Sequence, residues 1–214
     1  MNGSSKGKIG NANVMVNAFL KGAQEAGADT FNRKEIKHCK CCHTSWDRGP
    51  GRCVSKDDML ESCRLRGATI IVFASPIYFE NISGMLKVFM DRMTMLGSPH
   101  AQKNVKEERQ HVESAGVQAS KLMLISSCGY PDRSEFDVTS LWIKRVAQKM
   151  RMKLVGEIYA TQGKFLTSPT EELRPIISNY LQLLEKAGAE IATDMKFSPT
   201  TYKLLQERNF TLSQ

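Results

Sequence analysis

The sequence predicts an α/β fold organised around a parallel sheet. Three runs read as strands: ATIIVFASP at 68–76, KLMLISSCG at 121–129 and KLVGEIYATQG at 153–163. The first is almost continuously apolar, as a parallel strand covered on both faces must be. Between and after these runs, apolar residues recur at helical spacing, so strands alternate with helices in the manner of βαβ units. A length of 214 residues suits one domain with a sizeable core, or one domain plus an appendage.

Taken in order, positions 2 to 11 are glycine and polar residues. Residues 11–26 predict a helix with Met15, Phe19, Ala23 and Ala26 on one face and Gly27 as its stop. Residues 28–38, largely DTFNRKEIKH, are poor material for a strand, and 39–55 form a loop rich in Cys, Gly and Pro. A short helix is expected next, with Ser55 as N-cap and Asp57 and Asp58 in its first turn. After the first strand, 81–93 reads as a helix and 97–119 as a polar, irregular surface excursion. A helix over 135–150 carries Trp142, Val146 and Met150 at successive turns. A long helix over 170–193, in which Pro175 is a potential kink, and a last one over 199–209 complete the chain. Residues 1–165 are expected to form the α/β domain, and 166–214 a C-terminal helical extension packed on it.

The formal net charge is +8, but Lys and Arg are scattered singly and no basic stripe is interleaved with aromatics. That pattern suits an anionic small molecule better than nucleic acid, and no nucleic-acid partner is expected. No apolar run approaches a membrane span and no secretory leader is visible, so a cytoplasmic protein without a membrane partner is the expectation.

Three polar turns are the candidate binding elements, because ligands of open α/β sheets lie beyond the carboxyl ends of strands. GSSKGKIGNAN, 3–13, leads into the first helix. Its small residues let backbone N–H groups converge on an anion at a helix N-terminus, with Ser4, Ser5, Asn11 and Asn13 as side-chain donors. The same residues would also suit a disordered polar tail. ASPIYFENISG, 74–84, offers Pro76 to shape a turn, Tyr78 and Phe79 as ring faces and Asn81 as a polar contact. A packed strand–helix connection is the alternative there. SSCGYPDRSEF, 126–136, repeats the arrangement after the next strand, or is an ordinary Gly–Pro turn.

These segments, together with the cysteine loop ending GRCVSKDDM and the run ASPIYFENISGMLKVFMDR, resemble the NADPH-dependent FMN reductase family. The family is related to the iron–sulfur flavoproteins and to NAD(P)H:quinone-type oxidoreductases. The resemblance implies a flavodoxin-like three-layer sandwich with a parallel sheet. It implies FMN phosphate binding by Ser4, Lys6, Asn11, Ala12 and Asn13. At Ala12 the family usually has threonine, so one hydroxyl contact is lost. It places Pro76, Ile77, Tyr78, Phe79 and Asn81 along the isoalloxazine, and Ser127, Cys128, Gly129 and Tyr130 in a third contact loop. Lys87, Asp91 and Arg92 match the family's helix ending and read as a solvated or salt-bridged face.

The activity implied is NAD(P)H oxidation through bound FMN, with hydride passing on to a small-molecule electron acceptor such as a quinone, a flavin, or an azo or nitro compound. In such an enzyme the cofactor carries the chemistry, and no catalytic acid or base is evident. A homodimer or homotetramer is the implied assembly. A non-catalytic or truncated flavodoxin-like binding or electron-carrier protein is the alternative.

Iron–sulfur relatives carry C-x2-C-x2-C-x(4–7)-C in this loop, whereas the corresponding positions here are Cys39, Cys42, Ser45 and Cys53, with Cys41 as an additional thiol. Thiolate clusters normally take four cysteines, so an iron–sulfur cluster is not expected. Cys39, Cys42 and Cys53, with His43, are conceivable zinc ligands, but free thiols are the favoured reading. His38, His100 and His111 read as surface or loop residues, and Cys63 as core. In a flavodoxin-like sheet a central first strand precedes the phosphate loop, but only Met1 and Asn2 precede Gly3. Either the native start lies upstream, or the chain is a truncated variant with weak or no FMN binding.

Overall fold

The computed structural model describes residues 2–4, 10–28, 36–47, 53–59, 68–96, 101–103, 109–111 and 121–207. The helices are α1 (Asn11–Glu25), α2 (Thr44–Asp47), α3 (Gly84–Arg92), α4 (Asp137–Lys149), α5 (Lys164–Thr167), α6 (Arg174–Asp194) and α7 (Pro199–Glu207). The strands are β1 (Ile70–Tyr78), β2 (Asn81–Ile82), β3 (Ala101–Lys103), β4 (Arg109–His111), β5 (Lys121–Ser127) and β6 (Lys153–Ala160). Each of the three expected strands is present, shifted by no more than a few residues at its ends.

The main sheet runs β2-β1-β5-β6. β1, β5 and β6 are parallel, with Ala74 opposite Ile125 and Ile125 opposite Ile158. Parallel neighbours need crossovers, and α3 and α4 lie between them in sequence. The central strand β5 is buried from Leu122 to Ser127, which explains its lack of alternation. One core joins Met15 and Phe19 of α1, Ile125 and Ile158 of the sheet, Tyr180 and Leu184 of α6, and Leu205 of α7. The other joins Phe73, Leu86 and Phe89 to Phe136, Ile143 and Tyr159. Helices therefore cover both faces, giving three layers, and α6 and α7 share the layer of α1.

Helix α1 and α6 meet backbone to backbone. A Cβ on Gly22 would lie 1.8 Å from the Glu185 carbonyl oxygen, and one on Gly188 would lie 1.9 Å from that of Phe19. Only glycine permits this approach, and it seats the first helix against the long one. A third absent side chain, at Gly156 of β6, makes room for the Phe197 ring between α6 and α7.

Several local expectations are corrected. Asn81 belongs to β2, an antiparallel partner of the end of β1, and α3 starts at Gly84 behind the N-cap Ser83. The short helix expected after Ser55 falls almost wholly outside the described residues; within them Asp57 accepts from the Met59 amide (3.1 Å) and Ser55 is buried. Pro175 sits in the first turn of α6, where a missing N–H costs nothing, and is no kink. The 97–119 excursion contains the antiparallel pair β3–β4. At the N-terminus, Asn2 forms a parallel bridge to Ala74, and the Gly3 amide donates to the Ala74 carbonyl (2.7 Å). Since β1 already pairs with β5 through residues 70–76, this contact uses its other edge.

Candidate functional site

The three polar turns converge at the carboxyl end of the sheet. Gly3 is held against the N-terminus of α3, where Ser83 Oγ donates to its carbonyl (2.5 Å) and accepts from the Leu86 amide (3.3 Å). The Ser83 amide in turn donates to Ser75 Oγ (2.8 Å), and Ser126 Oγ donates to the Ser75 carbonyl (2.7 Å). All three hydroxyls are buried. They form a chain that fixes the first turn to the ends of β1 and β5. Sequence reasoning missed Ser75, Ser83 and Ser126 as supports of the site. The available signal was a small polar residue near the end of each apolar run.

Helix α1 begins at an N-cap glycine, Gly10, in extended conformation (φ −80°, ψ 146°), which has no side chain to close the end. The amides of Asn13 and Val14 both use the Gly10 carbonyl (2.9 and 3.1 Å). Helix geometry leaves those of Asn11 and Ala12 without an acceptor inside the helix. Ser4 is buried beside this end, its amide donating to Asn2 Oδ1 (3.0 Å), and Asn2 Nδ2 donates to Asn13 Oδ1 (2.9 Å). Ala12 is fully buried. Asn11 is engaged from the far side of the sheet edge, accepting from Thr167 Oγ1 (3.0 Å). Ser4, Asn11, Ala12 and Asn13 are thus brought together, whereas Lys6 and Ser5 lie outside the described residues.

At the second turn Pro76 is buried and Ile77 half-buried, while Tyr78 is substantially exposed and Phe79 completely so. Phe79 and Glu80 are the two residues of the β1–β2 hairpin turn, and both have positive φ (48° and 65°). That backbone is normally met by Asn-Gly, so two ordinary side chains here represent stored strain. The Asn81 carboxamide oxygen accepts from the Ile82 amide (2.8 Å), and the residue is exposed.

In the third turn Ser127 and Cys128 are buried and Tyr130 is exposed. The turn is laced to the end of β6. The Cys128 amide donates to Ala160 (3.0 Å), Gly163 donates to the Cys128 carbonyl (2.8 Å) and Gln162 to the Tyr130 carbonyl (2.9 Å). The Cys128 thiol donates to the Tyr130 carbonyl (3.3 Å), and burial pushes its pKa up. A Cβ on Gly129 would meet open space, and one on Gly163 would crowd Asn11. Gln162 and Gly163 are therefore part of the same edge, although the sequence offered no sign of it. Beyond the turn, Asp132 accepts from the Ser134 amide (2.8 Å) and is held below the usual carboxylate range by that bond.

The cysteine loop is mounted on the C-terminal end of α3. Arg92 is 1% exposed and pairs with Asp57 (2.5 Å), itself 2% exposed. Its guanidinium also donates to the Lys37 carbonyl (2.9 Å), and the Lys37 amide donates to Asp57 (2.9 Å). Burial opposes the Asp57 charge, but Arg92 and the two amides outweigh it and hold the carboxyl below its ordinary value. Lys87 and Asp91 form an exposed pair one turn earlier. Within the loop, the Cys41 amide donates to Cys39 Sγ (3.4 Å) and Trp46 Nε1 donates to the Thr94 carbonyl (3.1 Å). Hydrogen bonding from Thr44 lowers the Cys42 pKa, and the adjacent Cys39 sulfur raises that of Cys41. Cys41 and Cys42 are exposed, and Cys39 and Cys53 partly so. Among the described residues no group of three or more His, Cys, Asp or Glu side chains is gathered as a metal site. His38 is exposed, while Cys63 and His100 lie outside the described residues. No described helix is long and apolar enough to cross a membrane.

Comparison with known proteins places this geometry. The family model described as NADPH-dependent FMN reductase matches residues 1–127. An iron–sulfur flavoprotein from Archaeoglobus fulgidus is 36% identical over 95 residues, covering 42% of this chain and 42% of the relative. Another, from Methanosarcina thermophila, is 33% identical over 91 residues, covering 40% and 47%. Each match thus spans less than half the relative's length. Among solved structures, an FMN-dependent NADH-azoreductase from Bacillus anthracis in complex with FMN aligns with a TM-score of 0.57 at 15% identity, covering 86% of this chain and 92% of that one. An NAD(P)H:quinone oxidoreductase from Methanothermobacter marburgensis also gives 0.57, at 17% identity and 89% and 92% coverage. At such identities these two establish the shared flavodoxin-like fold.

Proposed function

The chain belongs to the NADPH-dependent FMN reductase family, and from that premise we propose that it binds FMN at the convergent turns and oxidises NAD(P)H, reducing a small acceptor such as a quinone. The observation that carries this reading is the pairing, at one sheet edge, of a helix N-terminus whose N-cap is glycine with exposed aromatic rings. The open end of α1 presents amide donors and the positive end of the helix dipole, which suits a phosphate. Tyr78, Phe79 and Tyr130 present ring faces that suit a planar heterocycle. The residues present therefore fit the cofactor, Ala12 included, since the backbone amide needs no threonine hydroxyl.

Bound there, FMN would supply the two-electron chemistry. This chain's residues would do the rest. Ser4, Asn13 and the amides of Asn11 and Ala12 would hold the phosphate, and Lys6 would add charge. Pro76 and Ile77 would set the height of the ring plane, with Tyr78, Phe79 and Asn81 along it. Ser127, Cys128, Gly129 and Tyr130 would close the opposite side, with the Cys128 thiol kept protonated by burial. Exposed Val138 and Leu141, near the same end of α4 as Tyr130, support self-association as a homodimer or homotetramer.

The test is a spectrum and an assay on the purified chain. Expected are flavin absorbance at one FMN per chain and NAD(P)H consumption that depends on added quinone. FMN bound without NAD(P)H consumption would leave an electron carrier in place of an enzyme. No FMN binding at all would refute the site.

A further inference from the structure

The cysteine loop is the feature that flavin chemistry leaves unused. Four of its positions align by spacing with the cysteines of an iron–sulfur site, yet the third is Ser45. A hydroxyl is a hard donor that stays protonated near neutral pH, whereas cluster iron is held by thiolates. Cys53 lies eleven residues beyond Cys42, at the other end of the loop. The tight turn holds Cys39, Cys41 and Cys42, of which Cys39 and Cys42 have the C-x2-C spacing.

We propose that the Cys39–Cys42 turn is a dithiol–disulfide site that exchanges with small aliphatic disulfides, in a loop that does not hold a four-thiolate cluster. Cys41 and His43 both adopt left-handed backbone (φ 49° and 54°), which folds the segment back on itself. That fold is what lets the Cys41 amide reach Cys39 Sγ (3.4 Å). The Thr44 hydroxyl donates to the Cys42 carbonyl (3.4 Å) and holds the return of the chain. The turn is thus held by one bond to the Cys39 sulfur and one to the Cys42 carbonyl, with both thiols on one short segment. Exposure then divides the roles. Cys42 is exposed and takes the attacking role, and Cys39, three residues back and partly covered, takes the resolving one.

The mount is rigid. Arg92 bridges the Lys37 carbonyl, just before Cys39, to the Asp57 carboxylate, just after Cys53, so the loop is closed at its base. Trp46 pins its middle to Thr94. The exchange balances without a further reactant. The Cys42 thiolate attacks RS–SR, forms Cys42–S–SR and releases one thiolate. Cys39 then attacks the Cys42 sulfur, forms the Cys39–Cys42 bond and releases the second. Two cysteine thiols are oxidised by two electrons, the disulfide is reduced to two thiols, and the two cysteine protons end on the leaving groups.

The full chain, purified without oxygen, should be assayed for iron, sulfide and zinc, then exposed to glutathione disulfide, alkylated and mapped by mass. The expected result is no stoichiometric metal and one new disulfide per chain, joining Cys39 to Cys42. Cys42→Ser should slow the exchange by about tenfold or more, and Cys39→Ser should trap glutathione on Cys42. Cys41→Ser keeps its backbone amide and should stay within about twofold of the parent rate. Stoichiometric iron and sulfide with these cysteines protected, a disulfide joining any other pair, no reaction, or a Cys41→Ser variant as slow as Cys42→Ser would each overturn the proposal.

Discussion

Replacing Gly188 by alanine sets two known effects against each other. Alanine is the better helix former by about 1 kcal/mol in a helix interior. Position 188 lies well inside α6, so on propensity alone the variant gains stability. Sterically, the new Cβ would lie 1.9 Å from the Phe19 carbonyl oxygen, 2.9 Å from its carbon and 3.0 Å from the Ala23 amide nitrogen. All three are backbone atoms of α1 that no rotamer change can move. Ordinary contact lies near 3.4 Å, so α1 and α6 would have to part by about 1.5 Å. A gap half that wide already forfeits a quarter to a half of each dispersion contact, and the seam includes Met15, Phe19, Leu184 and Ala187. Overpacking of this kind costs about 1–3 kcal/mol, and the steric side wins. The variant should lose about 2 kcal/mol, or roughly 4–8 °C in Tm. Urea denaturation of parent and variant reads this directly. Gly84→Ala is the control: its Cβ meets nothing within 4 Å and its φ is not in the left-handed region, so that variant should match or exceed the parent. A Gly188→Ala variant as stable as the parent would show that the seam yields more easily than its geometry implies.

Other outcomes follow from individual contacts. Arg92→Met leaves Asp57 buried without its cation and should cost about 3–5 kcal/mol in chemical denaturation. Asp57 is held below its unfolded value near 3.9, so its contribution is complete above that pH and disappears as pH falls through the lower folded value. Asp57→Asn should therefore flatten the acid limb of a stability profile between about pH 5 and 2, and an unchanged limb would remove Asp57 from the account. Ser83→Ala removes both the cap of α3 and the tether to Gly3, with an expected loss of about 1–2 kcal/mol and weaker FMN binding by fluorescence titration. Glu190→Gln weakens an acceptor shared by the Ser198 amide (2.9 Å), Ser198 Oγ (2.8 Å) and Thr201 Oγ1 (2.8 Å). Hydrogen exchange should speed up in α7 while α1 keeps its protection.

The sheet was legible because β1 and β5 are nearly continuous apolar runs and β6 is rich in β-branched and aromatic residues despite Lys153 and Glu157. α4 was legible from Trp142, Val146 and Met150, which do pack on the sheet. The short elements were not. β2 has two residues and exists only because the Phe79–Glu80 turn folds Asn81 and Ile82 back onto β1, a tertiary fact with no periodicity to announce it. The burial of Asp57 was not legible, because the cation that pairs with it, Arg92, lies 35 residues on. Gly22 and Gly188 each look like a mild helix defect in sequence. Their purpose shows only when two helices far apart in sequence are laid together.

The strain at Phe79 and Glu80 bears on how the edge is organised. A non-glycine residue in left-handed backbone costs about 1–2 kcal/mol, and this turn holds two in succession. Nothing in the packing of Phe79 offsets that, because its ring is wholly in solvent. The cost is borne instead by what lies on either side. Ile82 is buried against the second core, and Ser83 and Ser75 lock the return of the chain through buried hydrogen bonds. With both ends fixed, only a two-residue turn can join them, and the twist of the hairpin demands positive φ at both positions. The exposed ring is thus a consequence of the same serine chain that seats Gly3 and the first turn. Relaxing it with Glu80→Gly should raise stability by about 1 kcal/mol. If stability falls instead, the Glu80 side chain is contributing something that this backbone argument omits.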